Sequence, residues 1–160
     1  GPDIPISDDE VSYWTLAIDQ RFTSSNAVVT VAAGNSGELY HEAELNRIQP
    51  PSDAVSVLSV GATNTVGKKW ERATYSSVGP GRSPGIVKPD GVVFGGTESE
   101  PFYALDNNCQ ITPVMGTSFA SPITLRSAAS ITAQLGASLN PMTIRALMIH
   151  YWDIHRQVGF

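Results

Sequence analysis

Apolar residues fall into two patterns along this chain. Val11, Trp14, Ile18 and Phe22 recur at the three-to-four-residue spacing of a helix face. Ser7-Asp8-Asp9-Glu10 precedes them, a serine followed three residues later by glutamate, which reads as a capping box. The spacing therefore predicts an amphipathic helix over Asp8–Arg21, broken by Thr23-Ser24-Ser25-Asn26. Ala27–Ala33 is different: nearly continuous, short and rich in β-branched residues, the pattern of a strand buried on both faces of a parallel sheet. Ala54–Val60 repeats it, and Val92-Val93-Phe94 and Ile111–Met115 predict shorter extended pieces. Between them, Glu38–Asp53 and Gly79–Pro89 read as loops, and Thr63–Ser77 as a turn with a short strand.

The last third returns to helical signals. Ser118–Leu135 is a long run of small and apolar residues closed by Gly136, which predicts a buried helix with a glycine stop. Arg126 is the exception in that run and needs either a partner or solvent. Asn140-Pro141 supplies a cap and a first-turn proline for a final helix, whose apolar face is Ile144, Leu147, Met148 and Tyr151. Strands of parallel type alternating with helices predict an α/β fold, a parallel sheet flanked by helices.

Composition narrows the classes. At 160 residues the chain suits one domain, and 41% hydrophobic residues suffice for a core. Ten Lys and Arg against fifteen Asp and Glu give a net charge of -5, which argues against nucleic acid as a partner. No apolar run is long enough to predict a membrane-spanning helix, so no membrane partner is expected. Cys109 is the sole cysteine, so no internal disulfide forms; it reads as a small core or loop residue. His41, His150 and His155 lack metal-ligand spacing, and no metal site is predicted.

The chemistry concentrates in two segments. Gly116-Thr117-Ser118-Phe119-Ala120-Ser121-Pro122 places a serine at the tight entry to a helix. Free N–H groups and the positive dipole end there favour negative charge on an attacked carbonyl oxygen. Val31-Ala32-Ala33-Gly34-Asn35-Ser36-Gly37 ends a strand in an asparagine that, taken alone, is good turn chemistry.

Together these segments resemble the subtilisin-like serine proteases, the subtilases. The first matches all fixed positions of their Gly-Thr-Ser-x-Ala-x-Pro motif, and Ala32-Ala33-Gly34-Asn35 matches their Ala-Ala-Gly-Asn. Val60-Gly61-Ala62, Tyr75-Ser76-Ser77-Val78-Gly79-Pro80, Lys88-Pro89-Asp90 and the helix from Asn140 to His150 are similar to further family segments. The likeness spans roughly Ala27 to His150; Glu38–Arg47 and Ser99–Asn108 stand outside it as surface insertions. It implies a subtilisin-like fold and a serine-type endopeptidase. Ser118 would be the nucleophile, with its own N–H and the Asn35 side chain holding the oxyanion. Ala32, Ala33, Gly34, Gly116 and Thr117 would line the substrate site, taking a peptide or protein substrate as an extended strand. No cofactor is implied. The family allows for calcium, but no acidic loop here has a readable ligand pattern.

One part of the machinery is missing. Such an enzyme needs a histidine base and a carboxylate to orient it, upstream of Asn35 in this family's order. Neither an Asp-Ser/Thr-Gly nor a His-Gly-Thr motif occurs. His41 reads as a solvated loop residue, His150 as a helix residue, and Asp53 and Asp90 as structural carboxylates. The expectation is that residues 1–160 form a partial peptidase domain carrying nucleophile and oxyanion asparagine, cut near Gly1-Pro2 and short of its last turns at Val158-Gly159-Phe160. Alone it should be inactive, and an uncovered sheet edge should make it self-associate. The alternative is a non-catalytic subtilase-like module that binds peptide.

Overall fold

A computed structural model describes residues 3–136 and 138–155. Gly1-Pro2 and Val158-Gly159-Phe160 lie outside the described residues. In chain order the elements are helix α1 (Tyr13–Phe22), strand β1 (Thr30–Ala32), a single 3-10 turn (His41–Ala43), β2 (Leu58–Thr63), β3 (Gly91–Phe94), β4 (Phe102–Leu105), β5 (Ile111–Val114), α2 (Thr117–Leu135) and α3 (Pro141–Ile154). β1, β2 and β3 form a parallel sheet in that order, with Thr30 opposite Leu58 and Val60 opposite Gly91. β4 and β5 form a separate antiparallel hairpin. The fold is α/β, with the parallel sheet packed against helices.

β2 is buried along its whole length, and its period-two alternation sorts the core. Leu58, Val60 and Ala62 share the face that meets the helices: Leu58 clusters with Ala128, Ile144 and Met148, and Val60 and Ala62 with Ala73 and Ala120. The other face is small and polar. Ser59 bonds Ser52 through the two hydroxyls, and its N–H donates to Asp90 Oδ2 at 2.6 Å. The Ser76 hydroxyl accepts from Ala62 N at 3.0 Å and stands 3.0 Å from where a Cβ on Gly61 would lie. The strand is thus buried twice, by apolar helices on one side and by hydrogen-bonded loops on the other.

Several expectations are corrected. α1 starts at Tyr13, capped by the Ser12 hydroxyl accepting from Trp14 N, and not at the capping box around Ser7. Ser7 instead closes a local turn with Asp9 N, while Asp8 is drawn off to Arg47 Nη2 at 3.0 Å and Ser83 N at 2.9 Å. The face of α1 that is buried carries Thr15, whose hydroxyl donates to Asp53 Oδ1; Val11 and Trp14 are exposed. β1 is three residues long and half-buried because it ends the sheet among the described residues. β2 begins at Leu58, since residues 54–57 turn to let Asp19 accept from Val55 N and Ser56 N. α2 buries one face only, through Thr117, Ala120, Ser121, Thr124 and Ala128, so Arg126 faces solvent. Ser99–Asn108, read as an insertion, contributes strand β4. Gly136 and Asn140-Pro141 close and open their helices as expected, with Asn140 Oδ1 accepting from Met142 N at 2.8 Å.

Candidate active site

The parallel strands carry their C-terminal ends toward one edge, and β1 runs directly into Asn35. Ala33 N donates to Val60 O at 2.9 Å, continuing the ladder one residue beyond β1. Gly34 then turns the chain at φ +113°, a left-handed value that favours glycine. A Cβ there would also lie 2.6 Å from Gln49 Oε1, so both conformation and space require Gly34.

The serine segment arrives from β5. Gly116 occupies the N-cap of α2 at φ +148°, with no side chain to cap the helix. Its N–H is shared between Gly95 O at 2.9 Å and Tyr75 Oη at 3.1 Å. The Tyr75 hydroxyl donates in turn to Gly96 O at 2.8 Å. Burial pushes the Tyr75 phenol above its ordinary range, opposed by the bond from Gly116 N, so the hydroxyl stays a neutral donor near pH 7. Gly95 allows this approach: a Cβ on it would stand 2.7 Å from Ala62 Cβ and 2.9 Å from Gly116 O.

The two segments meet at Thr117. Its N–H and its hydroxyl both donate to Asn35 Oδ1, each at 2.9 Å, and its hydroxyl accepts from Gly34 N at 3.2 Å. Of the two ends of the Asn35 amide only the oxygen can accept from the Thr117 N–H, so the orientation of that amide is determined. Its donor end Nδ2 is left with no hydrogen bond among the described residues, 3.5 Å from where a Cβ on Gly116 would be. Next along the chain, Ser118 is exposed, and neither its N–H nor its Oγ is hydrogen-bonded among the described residues. Thr117, in contrast, is completely buried. The arrangement therefore presents two unspent donors, Asn35 Nδ2 and Ser118 N, beside a free hydroxyl at a helix N-terminus.

Ser118 and Asn35 open onto a cleft of about 750 Å³. Of the residues expected at the substrate site, Ala32, Gly34 and Thr117 line it. Ala33 does not: it is fully buried against Ile6 and Ile48, because it points to the opposite side of the strand from Ala32. Gly116 lies behind the serine as the pivot of the turn rather than on the cleft wall. Three residues given no role at the site from the sequence matter here. Tyr75 holds the Gly116 turn, Gln49 covers Gly34, and Asp3 lies on the cleft wall. Tyr75 and Gln49 sit in segments read as turn and loop, and nothing in their spacing links them to Ser118.

Among the described residues, no histidine lines the cleft. His41 is exposed in the 3-10 turn, His150 is exposed on α3, and the ring of His155 lies against Tyr151 with its Nδ1 2.8 Å from Tyr151 O. Asp53 is spent on Thr15 and Arg82, and Asp90 on Ser59 N and Lys88. No cluster of three or more His, Cys, Asp or Glu able to hold a metal ion occurs among the described residues. None of their helices is long and apolar enough to cross a membrane. Cys109 is exposed in the β4–β5 turn.

A match to the family model for subtilases runs over residues 6–157. The chain belongs to the subtilase family. No curated protein matches it. Among solved structures, this subtilase is similar to S41 psychrophilic protease (22% identity, TM-score 0.70), covering 92% of this chain and 47% of that one. It is similar also to sphericase (21%, 0.67; 85% and 43%) and to the self-cleaved protease domain of PatA (23%, 0.66; 89% and 48%). At these identities the likeness establishes the fold, and the subtilase chain spans a little under half the length of each of these structures.

Proposed function

We propose that this chain supplies the nucleophile and oxyanion half of a serine-type endopeptidase. Ser118 Oγ attacks the scissile carbonyl of an extended peptide, and the oxygen that becomes negative is received by Ser118 N and Asn35 Nδ2. The observation that carries this reading is the orientation of Asn35. Two donors from Thr117 occupy its Oδ1, which leaves Nδ2 unspent beside the serine. Asn35 is exposed, so this donor is open to the cleft, and a preorganised donor costs nothing to reorient when charge develops.

The histidine that takes the hydroxyl proton and the carboxylate that orients it come from polypeptide outside this chain. The absence of histidine from the cleft and the share of the solved structures that the chain covers both favour this. By itself the chain should show no turnover, since a general base contributes about 10²–10⁴ in rate and activates the nucleophile. No cofactor enters the scheme, and the partner is a peptide or protein.

The test is a fluorophosphonate probe on the complete polypeptide that contains this chain, read by intact mass. One adduct, absent from Ser118→Ala, is expected. A folded protein that takes up no probe would instead be a peptide-binding subtilase relative. Steady turnover by residues 1–160 alone, lost in Ser118→Ala, would overturn the assignment of the base to another segment.

A further inference from the structure

The cleft beside Ser118 has a chemical polarity of its own. Asp3 is the one ionisable side chain among the described residues that line it. Val31, Leu39, Pro50 and Pro51 supply apolar lining to the cleft. Gln49 connects Asp3 to the catalytic turn, because its side chain lies over Gly34, next to Asn35.

The donors in this corner are already used. The Gln49 amide nitrogen has two hydrogens; one goes to Asp3 Oδ1 at 2.6 Å and the other to Ser36 Oγ at 2.7 Å. That pairing fixes the amide, so Gln49 offers only its Oε1. Asp3 Oδ2 carries no hydrogen bond among the described residues. A side chain entering here finds apolar residues, acceptors and a negative charge, and no cation among the described residues. An acidic side chain would be repelled, and a purely apolar one would make no use of the charge. A long aliphatic stem ending in a cation satisfies every group on the wall.

We propose that this cleft selects a lysine or arginine side chain of the bound peptide, with Asp3 as the specificity-determining charge and Gln49 as the residue that positions it. The proposal rests on the reading of the cleft as a peptide site, and its test separates it from the reading of Ser118 as a nucleophile. The complete polypeptide carrying Ser118→Ala is titrated with short peptides ending in arginine, leucine or glutamate, which measures binding without turnover. The arginine peptide should bind about five- to tenfold tighter than the leucine peptide, the size of one partly exposed charge-assisted contact. Asp3→Asn, isosteric and at an exposed position, should erase that margin. Equal affinities, a preference for leucine or glutamate, an arginine margin that survives Asp3→Asn, or no binding at all would each overturn the proposal. An arginine margin in a protein whose Ser118 takes no fluorophosphonate would keep the proposal and remove the nucleophile.

Discussion

The junction between β1 and α2 and the outer surface of the same chain are built on opposite terms. At the junction, Thr117 is completely buried, Gly34 and Gly95 have no room for a side chain, Gly116 sits at φ +148°, and hydrogen bonds from Thr117 and Tyr75 hold both incoming segments. On the outside, Tyr13 is 81% exposed, Leu105 70% and Ile111 73%, with Trp14 and Tyr151 also open to solvent. The first region spends its polar groups on one another until only the Asn35 and Ser118 donors are left over. The second leaves large apolar side chains open to solvent.

The sharpest way to break this contrast is to remove a leftover donor. In the complete polypeptide, Asn35→Ala should lower kcat by about 10²–10³ with little change in KM, the magnitude known for loss of the oxyanion asparagine in subtilisin, itself a member of this family. Its readout is steady-state hydrolysis of a peptide substrate. A loss confined to KM would mean that Asn35 contacts the ground state and not the oxyanion.

Gly95→Ala tests the tightness of the junction without touching a reacting atom. The added methyl would meet Ala62 Cβ at 2.7 Å and the Gly116 carbonyl oxygen at 2.9 Å, and backbone yields less readily than a flexible side chain. The expected cost is about 1–3 kcal/mol, read as a lowered denaturant midpoint. On the outer surface the corresponding substitution should be nearly silent. Leu105→Ser should change stability by no more than about 0.5 kcal/mol, but it should reduce self-association of the isolated chain in sedimentation velocity. A monomeric starting chain would contradict the view that the exposed flanks seek cover.

How much of this was legible in the sequence follows the same division. The junction was readable because Gly116–Pro122 and Ala32–Asn35 resemble the subtilase motifs, and their residue types also have local reasons. Glycine at Gly116 and Gly34, a serine at a helix start and an asparagine after a strand each have a short-range physical reason, and they arrive in order. Helix ends with such reasons, Gly136 and Asn140-Pro141, were readable too. What failed was whatever a distant partner decides. The serine-to-glutamate spacing at Ser7 is a sound capping signal, yet Arg47 and Ser83 claim Asp8 and the helix starts at Tyr13. β4 went unseen because four residues between polar loops carry too little alternation, and only β5, pairing Phe102 with Val114, makes them a strand. Phe102 stacks on Phe119 at 5.4 Å between ring centroids, beside Ser118, a neighbourhood that no local pattern announces. Asp3 and Gln49 belong to the same class, since their bond joins segments far apart in the chain.

The smallest expected effect concerns that rerouted aspartate, which tells whether the Arg47 anchor contributes anything measurable. The hydrogen bond from Arg47 holds the Asp8 carboxyl below the usual carboxylate range, reinforced by Ser83 N. A depressed native value means that the unfolded chain binds the proton more readily. Any stabilisation from Asp8 is therefore present above the unfolded value, near 4, and fades as the pH falls through the native one. Asp8 itself is open to solvent, so screening keeps the effect small. Between pH 7 and pH 3 the denaturant midpoint should fall less for Asp8→Asn than for the unsubstituted chain, and the difference should shrink in high salt. If both proteins lose the same amount between the two pH values, Arg47 is held by Glu44 and the Gly81 carbonyl, and the link from the α1 approach to the loop before β2 is steric alone.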